Sequence, residues 1–329
     1  MQIHYNYIDR LKGISILFVV MMHLTNWTFQ QSENEISFVF GAFTMPLFFF
    51  LSGLVITSIP DRNKLCTKFQ RFLSPFIFVG LAFALFSQGI EGLRIFFTTS
   101  NKTGYWYLFV LAIFYCQLAF LRFNDTDRSA KGICLDIGSL IGLTAFFYFC
   151  EYTLPLEITE LLSLDKIRTQ WPFFFFGYLV HKYNMIRWFE NDVVFTIALI
   201  SIIPLYFLQR INPHTFILIS LSIIISLVVL FRRRNNAHTV VENELVRLGK
   251  GSLDIYIYHY FFIRPIGGYR MTELGEWLQR TDNWILEFFI LVIIAVVTSY
   301  CCLLIGHVLR QSRILTFIIY GMRLERYDK

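Results

Sequence analysis

Long apolar runs alternate with short clusters of charged residues along the whole chain. A helix that crosses a bilayer needs about 20 mainly apolar residues, within a range of about 17 to 25. Ten runs reach or approach that length, centred on 11–27, 36–59, 73–90, 105–121, 132–150, 171–186, 193–208, 215–231, 252–266 and 284–309. The sixth and ninth are short for a span. The pattern predicts an all-α polytopic membrane protein with about ten transmembrane helices, forming a single integral membrane domain over residues 1–329. The longest connections, near 87–104, 151–170, 232–251 and 265–283, are too short to fold alone. No internal repeat of the transporter type is visible.

The distribution of basic residues tests this count independently, because cytoplasmic connections carry an excess of Lys and Arg. With the N-terminus in the cytoplasm, 21 of the 29 basic residues fall on the inner side, including Arg10, Lys12, Arg62, Lys64, Lys68, Arg71, Arg122 and the tail residues Arg323, Arg326 and Lys329. Both termini are therefore expected to be cytoplasmic. Arg10 and Lys12 before the apolar residues 14–22 resemble the start of a signal peptide. His23, Leu24, Thr25, Asn26 and Trp27 follow where small residues at a cleavage site would stand, so the segment is expected to be retained.

Composition agrees. Hydrophobic residues make up 56% of the 329 and charged residues 16%, against about 25% charged in an average soluble domain. Such a chain cannot cover a soluble globule with polar groups, and its abundant Phe, Ile and Leu exclude disorder. The net charge of +6 reflects orientation in the membrane; no basic, aromatic-interleaved surface suggests nucleic acid. The 6 cysteines form no C-x-x-C and read as packing residues.

Ionisable side chains at membrane depth are costly and default to functional candidates. His23 lies well inside the first span, Asp254 and His259 in the ninth, Asp136 and His307 near inner span ends, Arg264 and Glu287 near outer ones. Lys12 precedes His23 by eleven residues, three helical turns plus about 20°, so the two share a face about 16 Å apart. That layout suits a ligand with an anionic end at the cytoplasmic surface and a reactive end within the protein. A structural histidine, with Lys12 as an orientation signal, fits the spacing equally. Lys68 and Arg71 are helix neighbours at the same face, suited either to phosphates or to lipid headgroups.

A family resemblance orders these residues. Asp9-Arg10-Leu11-Lys12-Gly13, followed by an apolar run to His23, is similar to the opening signature of the acyltransferase-3 family of integral membrane acyltransferases. Further segments resemble that family in the same order: Met45-Pro46-Leu47-Phe48-Phe49-Phe50-Leu51-Ser52-Gly53, Lys68-x-x-Arg71 before Pro75, Tyr105-Trp106-Tyr107-Leu108, Pro172-Phe173 through Gly177-Tyr178, and Ser252-Leu253-Asp254-Ile255-Tyr256-Ile257-Tyr258-His259. Two positions depart from it. The family usually has Arg at Lys12 and often at Lys68, and Lys keeps the charge without the planar fork. Arg10 stands nearby, but residues two apart on a helix point about 160° apart.

The resemblance implies transfer of an acetyl or other short acyl group from cytoplasmic acyl-CoA to a hydroxyl of a surface or lipid-linked carbohydrate, in the bacterial inner membrane. Acetyl-CoA is then a co-substrate, with no permanently bound cofactor. Lys12, Lys68 and Arg71 are the candidates for its phosphates. His23 is the candidate general base, with Asn26, Ser52 or a tyrosine as its partner by type; a covalent acyl-histidine route is the alternative. Asp9, Ser52, Trp106, Tyr256 and His259 are possible supporting or acceptor-side residues. For His259 a hydrogen bond to tyrosine competes with an acceptor-site or relay role, and for Trp106 sugar stacking competes with interfacial anchoring. Glu151, Glu157 and Glu160 lie on an outer connection. His4, His181, His214 and His238 lack metal-ligand spacing, so no metal is expected. A small-molecule or glycan-precursor transporter is the alternative from another class. Mid-membrane Asp or Glu and repeated halves would mark it. A catalytically silent scaffold with the same fold is the third.

Overall fold

The computed structural model describes residues 6–31, 34–57, 62–121, 127–234, 239–266, 269–281 and 283–322, and these are helical with short turns. The tail residues Arg323, Arg326 and Lys329, with Arg122, His4 and His238, lie outside them. In chain order the helices are α1 (Asn6–His23), α2 (Glu35–Gly41), α3 (Thr44–Leu54), α4 (Arg62–Thr98), α5 (Trp106–Leu121), α6 (Ala130–Thr153), α7 (Leu156–Leu162) and α8 (Leu164–Lys182). They continue with α9 (Ile186–Phe189), α10 (Asp192–Ile211), α11 (Phe216–Arg233), α12 (Val240–Lys250), α13 (Ser252–Ile266), α14 (Tyr269–Thr281), α15 (Trp284–Leu309) and α16 (Arg313–Tyr320).

Among the described residues, each of the ten apolar runs is mainly helical. Six segments are long and apolar enough to cross a membrane: Glu35–Leu54, Asn63–Thr98, Ala130–Thr153, Asp192–Ile211, Pro213–Arg233 and Trp284–Arg310. The others are shorter or more charged. α1 carries Asp9, Arg10 and Lys12 in its first two turns, and α8 carries Asp165, Lys166, Arg168 and Lys182. α5 and α13 have 16 and 15 residues. Outward faces such as Ile197 and Ile200 on α10 are 63% and 65% exposed, as expected of sides that meet lipid rather than protein.

The chain forms two compact units, Met1–Leu51 with Asn184–Leu303, and Ser52–Tyr183 with Leu304–Lys329. In the first, α1 packs on α12 more extensively than on any other helix. Small residues set how closely they cross: a Cβ at Gly13 would collide with the Leu245 carbonyl, and one at Gly249 with the Asp9 carbonyl. α12 occupies what reads from the apolar pattern as a connection. Its start is fixed by a capping box, in which the Thr239 hydroxyl accepts the Glu242 N–H and the Glu242 carboxylate accepts the Thr239 N–H. α10 and α11 run beside each other, joined by a hydrogen bond of 3.0 Å between Ser201 and Ser222.

In the second unit an aromatic core surrounds Trp171, which is fully buried, stacks on Phe175 at 5.1 Å and meets Phe114 edge-on at 5.3 Å. α6 and α8 are tied at depth by Lys182, whose Nζ donates to Asp136 at 2.7 Å, and by the Tyr183 hydroxyl, which donates to the same carboxylate oxygen at 2.7 Å. Asp136 is thus a structural partner, not an isolated charge. α4 is two helices joined at Gly89, whose φ of 62° and ψ of −142° suit a residue without Cβ.

Candidate active site

α1 runs unbroken from Asn6 to His23, so the shared face of Lys12 and His23 expected from their spacing is preserved. At His23 the helix changes. Residues Leu24–Thr28 form a π turn, closed by the Phe29 N–H donating to the Leu24 carbonyl at 2.9 Å. Such turns occur as single insertions within helices, frequently at functional sites. Here the Thr28 hydroxyl donates to the Ile263 carbonyl at 3.0 Å, which anchors the turn on α13. Trp27, four residues on, stacks on His23 at 4.9 Å.

α13 supplies the other side of the cluster. His259 and Tyr260 are fully buried, and their rings lie 5.4 Å and 5.2 Å from His23. The Tyr260 hydroxyl is 3.3 Å from His23 Nε2. His259 binds the Ile255 carbonyl through Nδ1 at 2.8 Å, not a tyrosine hydroxyl; its Nε2 is buried without a hydrogen-bond partner among the described residues. The Arg264 guanidinium lies over the Trp27 ring at 5.7 Å. Tyr256 is buried, with its ring 6.2 Å from that of His259.

The histidine partner left open between Asn26, Ser52 and the tyrosines is therefore Tyr260. Asn26 is engaged elsewhere, since its side-chain oxygen accepts the Ser37 hydroxyl at 2.9 Å. Tyr260 and Trp27 are the two site residues that apolar patterning passes over. A tyrosine in an apolar helix reads as packing, and the segment that resembles a family stops at His259. The π turn leaves no trace in composition.

At the start of α1, Asp9 is buried and Lys12 half-buried, and Lys12 makes no hydrogen bond or ion pair among the described residues. Arg10 faces another way. It is fully buried, donates to the Arg234 carbonyl at 2.6 Å and lies 3.9 Å from the Glu242 carboxylate. Its guanidinium is committed to the contact with α12 and does not substitute for Lys12. The Thr239 backbone N–H, its hydroxyl, and the charges of Arg10 and Arg234 together hold the Glu242 carboxyl below the ordinary glutamate range.

The remaining candidates belong to the second unit. Lys68 is placed with Ser52: its ammonium sits 4.0 Å above the Tyr115 ring, the Tyr115 hydroxyl donates to the Ser52 carbonyl at 3.4 Å, and the Ser52 hydroxyl meets the Tyr107 hydroxyl at 3.1 Å. Arg71 is exposed and has no hydrogen bond or ion pair among the described residues. The Trp106 ring carries the Lys166 ammonium at 5.6 Å. Between the end of α6 and the start of α8, a cavity of about 230 Å³ is lined by Glu151, Leu156, Thr159, Glu160 and Asp165. Its acids already have partners: Glu151 pairs with Arg168, Glu160 accepts the Ser100 N–H at 2.6 Å, and Asp165 lies 3.1 Å from Lys166. Among the described residues no group of three or more His, Cys, Asp or Glu is placed to hold a metal.

Residues 5–304 match the family described as an acyltransferase domain. No curated protein and no solved structure matches the chain.

Proposed function

The chain belongs to the acyltransferase-3 family, and we propose that it moves an acetyl or other short acyl group from cytoplasmic acyl-CoA to a hydroxyl of a surface or lipid-linked carbohydrate. The observation that supports this most is the layout of α1: a half-buried imidazole hydrogen-bonded to Tyr260, eleven residues beyond a half-buried ammonium that makes no hydrogen bond or ion pair among the described residues. A CoA-type donor has matching chemistry. Its phosphates cannot enter hydrocarbon, and its thioester sits at the end of a long flexible arm.

Lys12 holds the phosphates at the inner surface as a compact cation. Lys68 and Arg71 carry the same assignment in the second unit, Arg71 with the planar fork that suits phosphate. At the other end of α1, the sugar hydroxyl gives its proton to His23 as its oxygen attacks the thioester carbonyl. The new C–O bond forms, the C–S bond breaks, and the proton passes on to the departing thiolate to give free CoA thiol. A neutral imidazole suits this step near neutral pH, where a hydroxyl alone is a poor nucleophile. The bacterial inner membrane, with both termini in the cytoplasm, is the setting in which donor and acceptor meet.

The test is transfer of labelled acetyl from acetyl-CoA to glycan acceptors by purified protein in nanodiscs. His23→Ala is expected to lower turnover by about 10²- to 10⁴-fold while CoA still binds. Lys12→Ala is expected to weaken CoA binding, with the difference shrinking at high salt. Unchanged turnover in the first variant removes His23 from the chemistry, and unchanged binding in the second removes Lys12 from the donor site.

A further inference from the structure

We propose that Tyr260 is a positioning residue that fixes the tautomer of His23, with Nε2–H donated to the phenol oxygen and Nδ1 left as the atom that takes the substrate proton. This rests on the reading of His23 as the base, and it assigns the reacting nitrogen, which neither the family match nor the spacing of residues specifies.

The argument comes from two histidines in one cluster. A neutral imidazole has one N–H and one lone pair, and its hydrogen bonds decide which nitrogen has which. His259 shows one solution. Its Nδ1 lies 2.8 Å from the Ile255 carbonyl, an acceptor only, so Nδ1 carries the proton and Nε2 the lone pair. His23 also stands on a helix, yet makes no corresponding bond to the Val19 carbonyl four residues back, and its Nδ1 has no hydrogen-bond partner among the described residues. Among the described residues the one hydrogen bond of His23 is at Nε2, 3.3 Å from the Tyr260 hydroxyl.

That bond has two possible directions. If the phenol donates to Nε2, the lone pair of the ring is occupied, and the proton on Nδ1 points at no acceptor. The ring then has nothing with which to remove a proton. If Nε2–H donates to the phenol oxygen, both ring nitrogens are accounted for, and Nδ1 presents an open lone pair. The same bond persists when Nδ1 takes a proton, because the imidazolium still donates from Nε2 and does so more strongly as a cation. The stacked Trp27 and the buried ring of Tyr260 keep the imidazole from turning over.

Protein labelled with ¹⁵N-histidine, in nanodiscs, allows the tautomer to be read without any turnover; the His23 signals are those lost in His23→Ala. The expected result is a protonated Nε2 and a bare Nδ1 at His23, opposite to His259, with mixed tautomers at His23 in Tyr260→Phe. In the transfer assay Tyr260→Phe should lower kcat by about 10- to 100-fold and leave KM for acetyl-CoA unchanged. A wild-type spectrum with the proton on Nδ1 of His23 overturns the assignment, as does a folded Tyr260→Phe that keeps full kcat. Should the protein transfer no acyl group, the wild-type spectrum alone decides.

Discussion

At the residue scale, the two ends of α1 depend on different kinds of side chain. At the N-terminal end the small residues matter as much as the charged ones. Gly13 and Gly249 let α1 and α12 approach until backbone meets backbone, and that approach buries Asp9 and directs Arg10 into α12, leaving Lys12 to face elsewhere. Gly13→Ala or Gly249→Ala should therefore force the helices apart and cost about 1–3 kcal/mol, measured as thermal unfolding in detergent. Gly138→Ala, on α6 where an added Cβ meets nothing within 4 Å, should be neutral or slightly stabilising. The candidate base and its ammonium are legible in the sequence because a charge inside an apolar run stands out. Tyr260 is not, because its hydroxyl is worth noticing only once His23 is known to lie beside it.

At the element scale, the apolar pattern locates every helix that is apolar on most sides and passes over the amphipathic ones. α12 is the clearest case. Its eleven residues include Glu242, Asn243, Glu244, Arg247 and Lys250, so it reads as a polar connection by hydropathy alone. Thr239-Val240-Val241-Glu242 nonetheless spells a capping box, the signal that finds it. Thr239→Ala should cost about 1 kcal/mol, read as a lowered unfolding temperature. The cap also has a pH dependence. The folded Glu242 carboxyl lies below its ordinary value of 4.5, so its contribution to stability is present above that value and is lost as pH falls through the folded pKa. Wild type should be more stable than Glu242→Gln at neutral pH, and the two should converge in acid; a constant difference down to about pH 3 would show that the charge is not what holds the cap.

At the scale of the whole molecule, sequence shows the material and not the partition. Both units are built from discontinuous segments, with boundaries inside α3 and α15. No composition shift marks them, because a helix face that meets lipid and one that meets protein are both apolar. Orientation is different, since it is written in charge. The positive-inside count puts the start of α4, where Cys66 is exposed, on the cytoplasmic side. A membrane-impermeant maleimide should label Cys66 in inverted vesicles and not in right-side-out ones, while Glu157→Cys should show the reverse. Labelling of both from one side would break the ten-span topology.

The turn after His23 makes the site sensitive to chain length as well as to chemistry. A π turn is a helix carrying one surplus residue, so deleting Leu24 lets the helix close in its ordinary register. Trp27 and Thr28 then each stand one residue nearer to His23, and the spacings that bring the indole onto the imidazole and the Thr28 hydroxyl to α13 are lost. A deletion that removes no functional group at all would still dismantle the arrangement, which makes the count of residues here as informative as their identity.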